Sequence, residues 1–125
     1  MTNDSDISAF EFNILQSRSN EDYQVVSFSG DLDKLGLNKV KPDLEKLVNG
    51  SSKKYLVFDF SRLSFINSEG IGFIMALHSH LVKNKQSLVV VNAIAHVKDV
   101  LSVIGILNVV EYFDSFEQFL QKINE

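Results

Sequence analysis

One stretch in the middle of the 125-residue chain decides the fold, and it reads DFSRLSFINSEGIG over residues 59–72. It starts inside an almost unbroken apolar run, Tyr55 to Phe60, which is typical of a strand buried on both faces. We expect a short loop after this strand, anchored by Phe65 and Ile66. Ser68 then stands at the predicted start of a helix. The stretch therefore predicts a strand–loop–helix unit with a serine at the turn.

The apolar spacing on either side of this stretch alternates between the periods of strands and helices. Helical spacing runs from Ile71 to Val82 and leads into a second short apolar run, Leu88 to Val91. A strand, a helix and a second buried strand form a βαβ unit, whose crossover is expected to be right-handed. Three further strands are predicted at 10–14, 23–29 and 109–113. Three further helices are predicted: one from near Pro42 to Gly50, one from 97 that ends at Gly105, and one at 116–123 with Ser115 as its cap.

This order of elements, β-β-α-β-α-β-α-β-α, predicts a single α/β domain over residues 1–125, with residues 1–8 as a flexible N-terminus. We expect a mixed sheet of four or five strands, with the two apolar runs in its interior. About four helices should pack mainly on one side of this sheet. Leu101 and Ile104 are expected to face the sheet from the third helix.

Composition limits the classes of function. The formal net charge is -4 and no run of basic residues occurs, so neither nucleic acid nor a membrane surface is an expected partner. The chain has no cysteine, which excludes disulfides, thiolate chemistry and cysteine zinc sites. The first residues are polar, and no apolar run reaches the roughly 20 residues that span a bilayer. These features predict a cytoplasmic protein.

The residue patterns of common enzymes and metal sites are missing from the sequence. His78 and His80 are two positions apart on a predicted helix and point to different faces, so they are poorly placed to share a metal. Asp31 and Asp33 follow a strand and could bind a cation, although carboxylates so placed are more often solvated turn formers. We therefore expect no catalytic residue, no metal site and no cofactor.

Ser68 admits two interpretations at the start of its helix. As a helix cap, its hydroxyl would accept a hydrogen bond from a free backbone N–H. As a phosphoacceptor, it would place a phosphate group at the positive end of the helix dipole, where the fold tolerates it. Gly70 and Gly72 lie early in the helix, where glycine lowers helix stability, so we expect them to make room for another group near the backbone. They lack the third glycine or the lysine of nucleotide-binding loops.

Three segments resemble the STAS family, which includes the bacterial anti-sigma-factor antagonists. Leu63 to Gly72 is similar to the family pattern L-x-F-hydrophobic-D-S-S/T-G-hydrophobic-G. Gly30 to Asp33 resembles a strand ending in G-E/D-L-D, and Leu88 to Gly105 resembles a buried strand followed by an amphipathic helix and a glycine. Asn67 stands where the pattern has Asp, and Glu69 stands where it has a second Ser or Thr. The resemblance covers nearly all of residues 10–124.

The resemblance implies a non-enzymatic switch protein. In such proteins the unmodified antagonist binds a serine kinase that also acts as an anti-sigma factor, and a sigma factor is released. Phosphorylation of the first serine of the D-S-S/T-G pattern, which matches Ser68, ends the interaction, and a serine phosphatase reverses it. The implied partner-binding loop consists of Asn67, Ser68, Glu69, Gly70 and Gly72, together with Gly30, Asp31 and Asp33.

Two other classes of function remain open at the level of the sequence. The chain could be a STAS scaffold that is not phosphorylated and serves as a subunit of a signalling or transport assembly, with Ser68 acting only as a helix cap. It could also be a STAS domain that binds a small ligand or a nucleotide at the helix start that carries Gly70 and Gly72.

Overall fold

The computed structural model describes residues 10–15, 18 and 20–125, so the predicted flexible segment 1–8 lies outside the described residues. The predicted order of elements is confirmed, with one additional short 3₁₀ turn. The elements are β1 (Glu11–Ile14), β2 (Tyr23–Leu32), α1 (Lys34–Gly50), β3 (Tyr55–Ile66), α2 (Ser68–Lys83), β4 (Ser87–Val91), α3 (Ala95–Ile104), the 3₁₀ turn (Ile106–Asn108), β5 (Glu111–Phe113) and α4 (Phe116–Ile123).

The strands form one five-stranded sheet in the order β1-β2-β3-β4-β5. β1 is antiparallel to β2, and every other neighbouring pair is parallel. The two apolar runs lie in β3 and β4, which both have strand neighbours on either side, so their predicted interior position is confirmed. The mixed sheet and the single domain are confirmed as well.

Helices cover both faces of the sheet unequally. α1, α2 and α3 pack on one face, where Phe28, Phe58 and Phe60 form the centre of the main core. α4 packs on the other face and buries Phe119 against Val57 and the neighbouring valines of β4. The prediction that the helices pack mainly on one side is therefore confirmed. Among the described residues, none of the helices has the length and hydropathy of a membrane-spanning segment.

Two boundary predictions are wrong. α1 does not begin near Pro42 but eight residues earlier, because Asp33 provides a cap there and the ring of Pro42 lies on the exposed face. Pro42 has no backbone N–H that could donate to the carbonyl of Asn38. Because Asn38 is exposed, its carbonyl can bind water instead. β3 does not stop near Asp59 but runs through the predicted loop to Ile66, held by its pairing with β2.

Two predictions about side-chain orientation are also wrong. Ile66 is buried as expected, but Phe65 is 44% exposed, because consecutive residues of the extended strand point to opposite faces. Leu101 is buried in the core, whereas Ile104 is 55% exposed. α3 ends at Gly105, which has a left-handed φ of 86°, and the turn that follows inserts Ile106 into the core in place of Ile104.

Candidate functional site at the carboxyl edge of the sheet

The carboxyl ends of β2 and β3 lie side by side and bring together two segments that are more than thirty positions apart in the sequence. Leu32 pairs with Ile66, and the N–H of Asn67 donates to the carbonyl of Leu32 at 3.3 Å. The segment from Gly30 to Asp33 therefore lies beside the start of α2. The structure thus gathers the predicted loop residues at one edge, with Gly72 one helical turn below.

The cap of α2 is Asn67, so the interpretation of Ser68 as the helix cap is wrong. Asn67 has an extended backbone, and its side-chain oxygen accepts a hydrogen bond from the N–H of Gly70 at 2.9 Å. Its carbonyl accepts from the N–H of Ile71 at 3.0 Å. Asparagine and serine are about equally good caps. Whether Asn67 or Ser68 caps α2 therefore depends on which residue ends β3.

Ser68 is the first residue of α2, and its side chain is exposed. Its hydroxyl has no hydrogen-bond partner among the described residues. The N–H groups of Ser68 and Glu69 lie in the first turn, where a helix offers no acceptor of its own. A free hydroxyl next to unpaired N–H groups is an arrangement that a phosphorylated serine can use without a change in fold.

Asp33 is the N-terminal cap of α1 in the same way. One carboxylate oxygen accepts from the N–H groups of Leu35 at 3.1 Å and Gly36 at 3.2 Å. Within the described ranges, no cluster of three or more His, Asp or Glu side chains is placed to hold a metal ion. The carboxylate of Asp33 is engaged with the backbone, and Asp31 is a half-buried strand residue paired with Phe65. Asp33 is therefore part of the start of α1, and Asp31 lies in the strand that leads into it.

Glycine three positions after each cap lets the helix approach the end of β2. A methyl group added at Gly70 would lie 2.6 Å from the carbonyl oxygen of Leu32, and one at Gly36 would lie 2.7 Å from that of Asp31. Real side chains do not tolerate such distances, so both helix starts need glycine here. The sequence analysis missed Gly36, although the spacing D-x-x-G and N-x-x-G was visible in the chain.

Gly30 shapes the strand that lies between the two helix starts. Its φ of 90° belongs to the left-handed region, and the pairing of β2 with β3 shifts register on either side of it. Such irregularities twist a strand and redirect the side chains that follow. Gly30 therefore determines how Asp31 and Asp33 are presented at the edge.

Two large apolar side chains are exposed at the same edge of the sheet as Ser68. Phe65 precedes it at the end of β3 and is 44% exposed, and Leu35 at the start of α1 is 64% exposed. Glu69 adds an exposed negative charge in the first turn of α2. These exposed apolar side chains are available to contact a partner that docks at this edge.

The third helix start at this edge is built differently. α3 begins after Ile94, which provides no side-chain cap. The preceding loop is held from β5, where the hydroxyl of Tyr112 lies 3.1 Å from the N–H of Ala93 and accepts from it. Lys98 donates to Asp114 at 2.8 Å, and this hydrogen bond raises the pKa of Lys98 above 10.5, while burial raises the pKa of Tyr112 above 10.0. Neither group changes its charge near neutral pH.

The sequence and the fold assign the chain to a known family. The family model described as STAS domain matches residues 15–119. This range includes both capped helix starts and the whole of the sheet except β1. The protein belongs to the STAS domain family.

Solved structures of anti-sigma factor antagonists share this fold. An anti-sigma factor antagonist from Mycobacterium paratuberculosis matches with a TM-score of 0.77 at 20% identity, over 92% of this chain and 96% of that chain. The anti-sigma factor antagonist SpoIIAA in its unphosphorylated form matches with a TM-score of 0.74 at 17% identity, over 91% and 96%. The phosphorylated form of the Bacillus cell fate determinant SpoIIAA matches with a TM-score of 0.67 at 16% identity, over 90% and 99%.

Proposed function

We propose that this protein is an anti-sigma-factor antagonist that is switched by phosphorylation of Ser68. In this proposal the unmodified protein binds a cytoplasmic serine kinase that doubles as an anti-sigma factor, and the bound sigma factor is released. Phosphorylation of Ser68 ends the interaction, and a serine phosphatase restores it. The protein acts through binding alone, catalyses no reaction and needs no cofactor.

The observation that carries the proposal is the free hydroxyl of Ser68. Because Asn67 caps the helix, Ser68 is exposed and has no structural hydrogen bond to lose among the described residues. A phosphate group of about -1.5 to -2 charges would accept hydrogen bonds from the first N–H groups of α2 and interact favourably with the positive end of the helix dipole. Modification should therefore leave the fold intact.

The effect of the phosphate is expected at the surface that surrounds it. Phe65 and Leu35 offer exposed apolar area at the same edge of the sheet as Ser68. A partner that covers these side chains must also remove water from Ser68, and burying a phosphate without a cationic partner is costly. The negative charge of Glu69, which lies next to Ser68, adds repulsion to the doubly charged group. Phosphorylation therefore weakens docking without unfolding either protein.

The test compares wild type, Ser68→Ala and Ser68→Asp for binding to each anti-sigma-factor kinase of the host, together with mapping of the phosphorylated residue by mass spectrometry. Wild type and Ser68→Ala should bind alike, Ser68→Ala should accept no phosphate, and Ser68→Asp should bind at least about tenfold more weakly, as for a charge placed in a desolvated interface. Ser64→Asp, on an exposed serine of β3, is the matched control for the added charge. Phosphate on another serine, or equal binding by all variants, would favour the scaffold function instead.

A further inference from the structure

A groove with a volume of about 600 Å³ runs between α1 and α2 on the side away from the sheet. Both helices start at the carboxyl edge and run in the same direction, because each follows one of two neighbouring parallel strands. Leu37 and Val48 of α1, and Phe73 and Leu77 of α2, supply the apolar side chains of the groove. On α2 the lining extends from Glu69 to His80, which corresponds to roughly 16 Å or three turns of helix.

Small residues keep this groove open. Gly72 and Ala76 lie one turn apart on α2, and both line the groove. A methyl group added at Gly72 would have no atom within 4 Å, in contrast to Gly70, where it would collide with the end of β2. Glycine inside a helix lowers its stability, and no neighbouring atom among the described residues requires glycine at position 72. The small residue leaves room for a group from outside to approach the backbone of α2.

Charged residues alternate in sign along the rim of the groove. Glu69 lies at the end nearest the carboxyl edge. Lys41 follows about one turn further along, with its ammonium 5.8 Å from the ring centre of Phe73. Glu45 lies one turn beyond Lys41 on α1. None of these three charges forms an ion pair within the described part of the chain.

We propose that this groove binds an amphipathic helix of the kinase that acts on Ser68; this inference rests on the proposed function and names the contact through which the partner docks. The groove is three turns long, as is suitable for a short helix bound by its apolar face. The negative–positive–negative series of Glu69, Lys41 and Glu45 is complementary to basic, acidic and basic side chains spaced by one turn. Because Glu69 lines the groove and directly follows Ser68, the docked helix reaches the phosphoacceptor.

The decisive variant is Gly72→Gln, because Gly72 lines the groove and an added Cβ there meets no atom within 4 Å, so the longer side chain can occupy the groove. Its melting temperature should equal or exceed that of wild type, because glutamine is the better helix former. Its dissociation constant for the kinase should rise at least about tenfold, as for the loss of a central interface contact. Val82→Gln places the same side chain at an exposed position of the same helix, outside the groove lining, and should change affinity by less than about twofold.

A charge reversal tests the rim independently of the groove volume. Lys41→Glu should weaken binding to the kinase, and the loss should shrink as ionic strength increases. Hydrogen–deuterium exchange of the complex should show protection of residues 37–49 and 69–80, and of one helical segment of the kinase.

The outcomes separate this inference from the proposed function. If Gly72→Gln binds the kinase as wild type does while Ser68→Asp binds weakly, the groove is not the docking site and the proposed function stands. If no host kinase binds the wild-type protein, both proposals fail. If sedimentation shows a wild-type dimer that Gly72→Gln dissociates, a second copy of this chain occupies the groove and the kinase helix does not.

Discussion

The starts of α1 and α2 are built alike but present different chemistry. In each, a strand ends in a polar cap, Asp33 or Asn67, and a glycine three positions later lets the helix touch the end of β2. The first helical residue differs, because it is Lys34 in α1 and Ser68 in α2. The cap differs in chemistry as well, since Asp33 has a carboxyl side chain and Asn67 has an amide side chain.

This difference shows which parts of the edge serve the fold and which are free for function. In both places the cap accepts from the N–H of the glycine three positions later, and that glycine lies against a backbone carbonyl of β2. Ser68 takes no part in that construction, and it has an exposed hydroxyl where α1 has the ammonium side chain of Lys34. A modification at Ser68 is therefore separated from the interactions that stabilise the domain.

The largest change in the free energy of unfolding is expected at Gly36 and Gly70, where the two helix starts are most alike. Gly36→Ala and Gly70→Ala should each lower the free energy of unfolding by about 1 to 3 kcal/mol, because the new methyl group collides with a backbone carbonyl. Gly70 should be the more sensitive, since its neighbours Leu32 and Ile66 lie in the interior strands β2 and β3, whereas one neighbour of Gly36, Phe10, precedes the edge strand β1. Urea unfolding measures both.

Gly72→Ala is the control for this comparison, because a methyl group there meets no atom within 4 Å. It should raise the free energy of unfolding by about 0.5 to 1 kcal/mol through helix propensity alone. Equal effects at all three glycines would contradict the close approach that the structure shows at Gly36 and Gly70.

The caps should show an intermediate effect that differs between the two helices. Asp33→Ala and Asn67→Ala should each cost about 0.5 to 2 kcal/mol in unfolding free energy. Asp33 should be at the upper end, because its carboxylate accepts from two N–H groups and its charge interacts favourably with the helix dipole. Thermal and urea unfolding of both variants provide the comparison.

The stability of Ser68→Ala shows whether Ser68 acts as a helix cap or only as an exposed first residue of α2. Because Asn67 already caps α2, this variant should change the unfolding free energy by less than about 0.5 kcal/mol. A loss of about 1 kcal/mol or more, as for a true cap, would show that Ser68 contributes to the helix start after all.

The smallest effect is expected at the uncapped start of α3. The hydrogen bond to Asp114 raises the pKa of Lys98 in the folded protein above 10.5, so the pair stabilises the fold fully below that pH. The contribution is lost as the pH rises through the raised value. Lys98→Gln should therefore lower stability slightly at neutral pH and flatten its decline above about pH 10.5 relative to wild type. Parallel curves for the two proteins would contradict this.

The sequence alone was sufficient for the order of elements and for the interior position of the two apolar strands. Tyr55 to Phe60 and Leu88 to Val91 are apolar at nearly every position, and such runs predict strands with both faces covered wherever they occur. Gly105 ended α3 as expected, since its left-handed φ favours glycine. These features depend on local preferences and on burial, which a linear pattern records.

Other features were decided only by the tertiary structure. Whether Asn67 or Ser68 caps α2 depends on how far β3 extends, and its pairing with β2 carries it to Ile66. The exposure of Ile104 depends on Ile106 entering the core after Gly105, although the helical spacing placed Ile104 inward. Local propensity cannot resolve such choices, because adjacent residues are equally suitable and contacts with distant strands select between them.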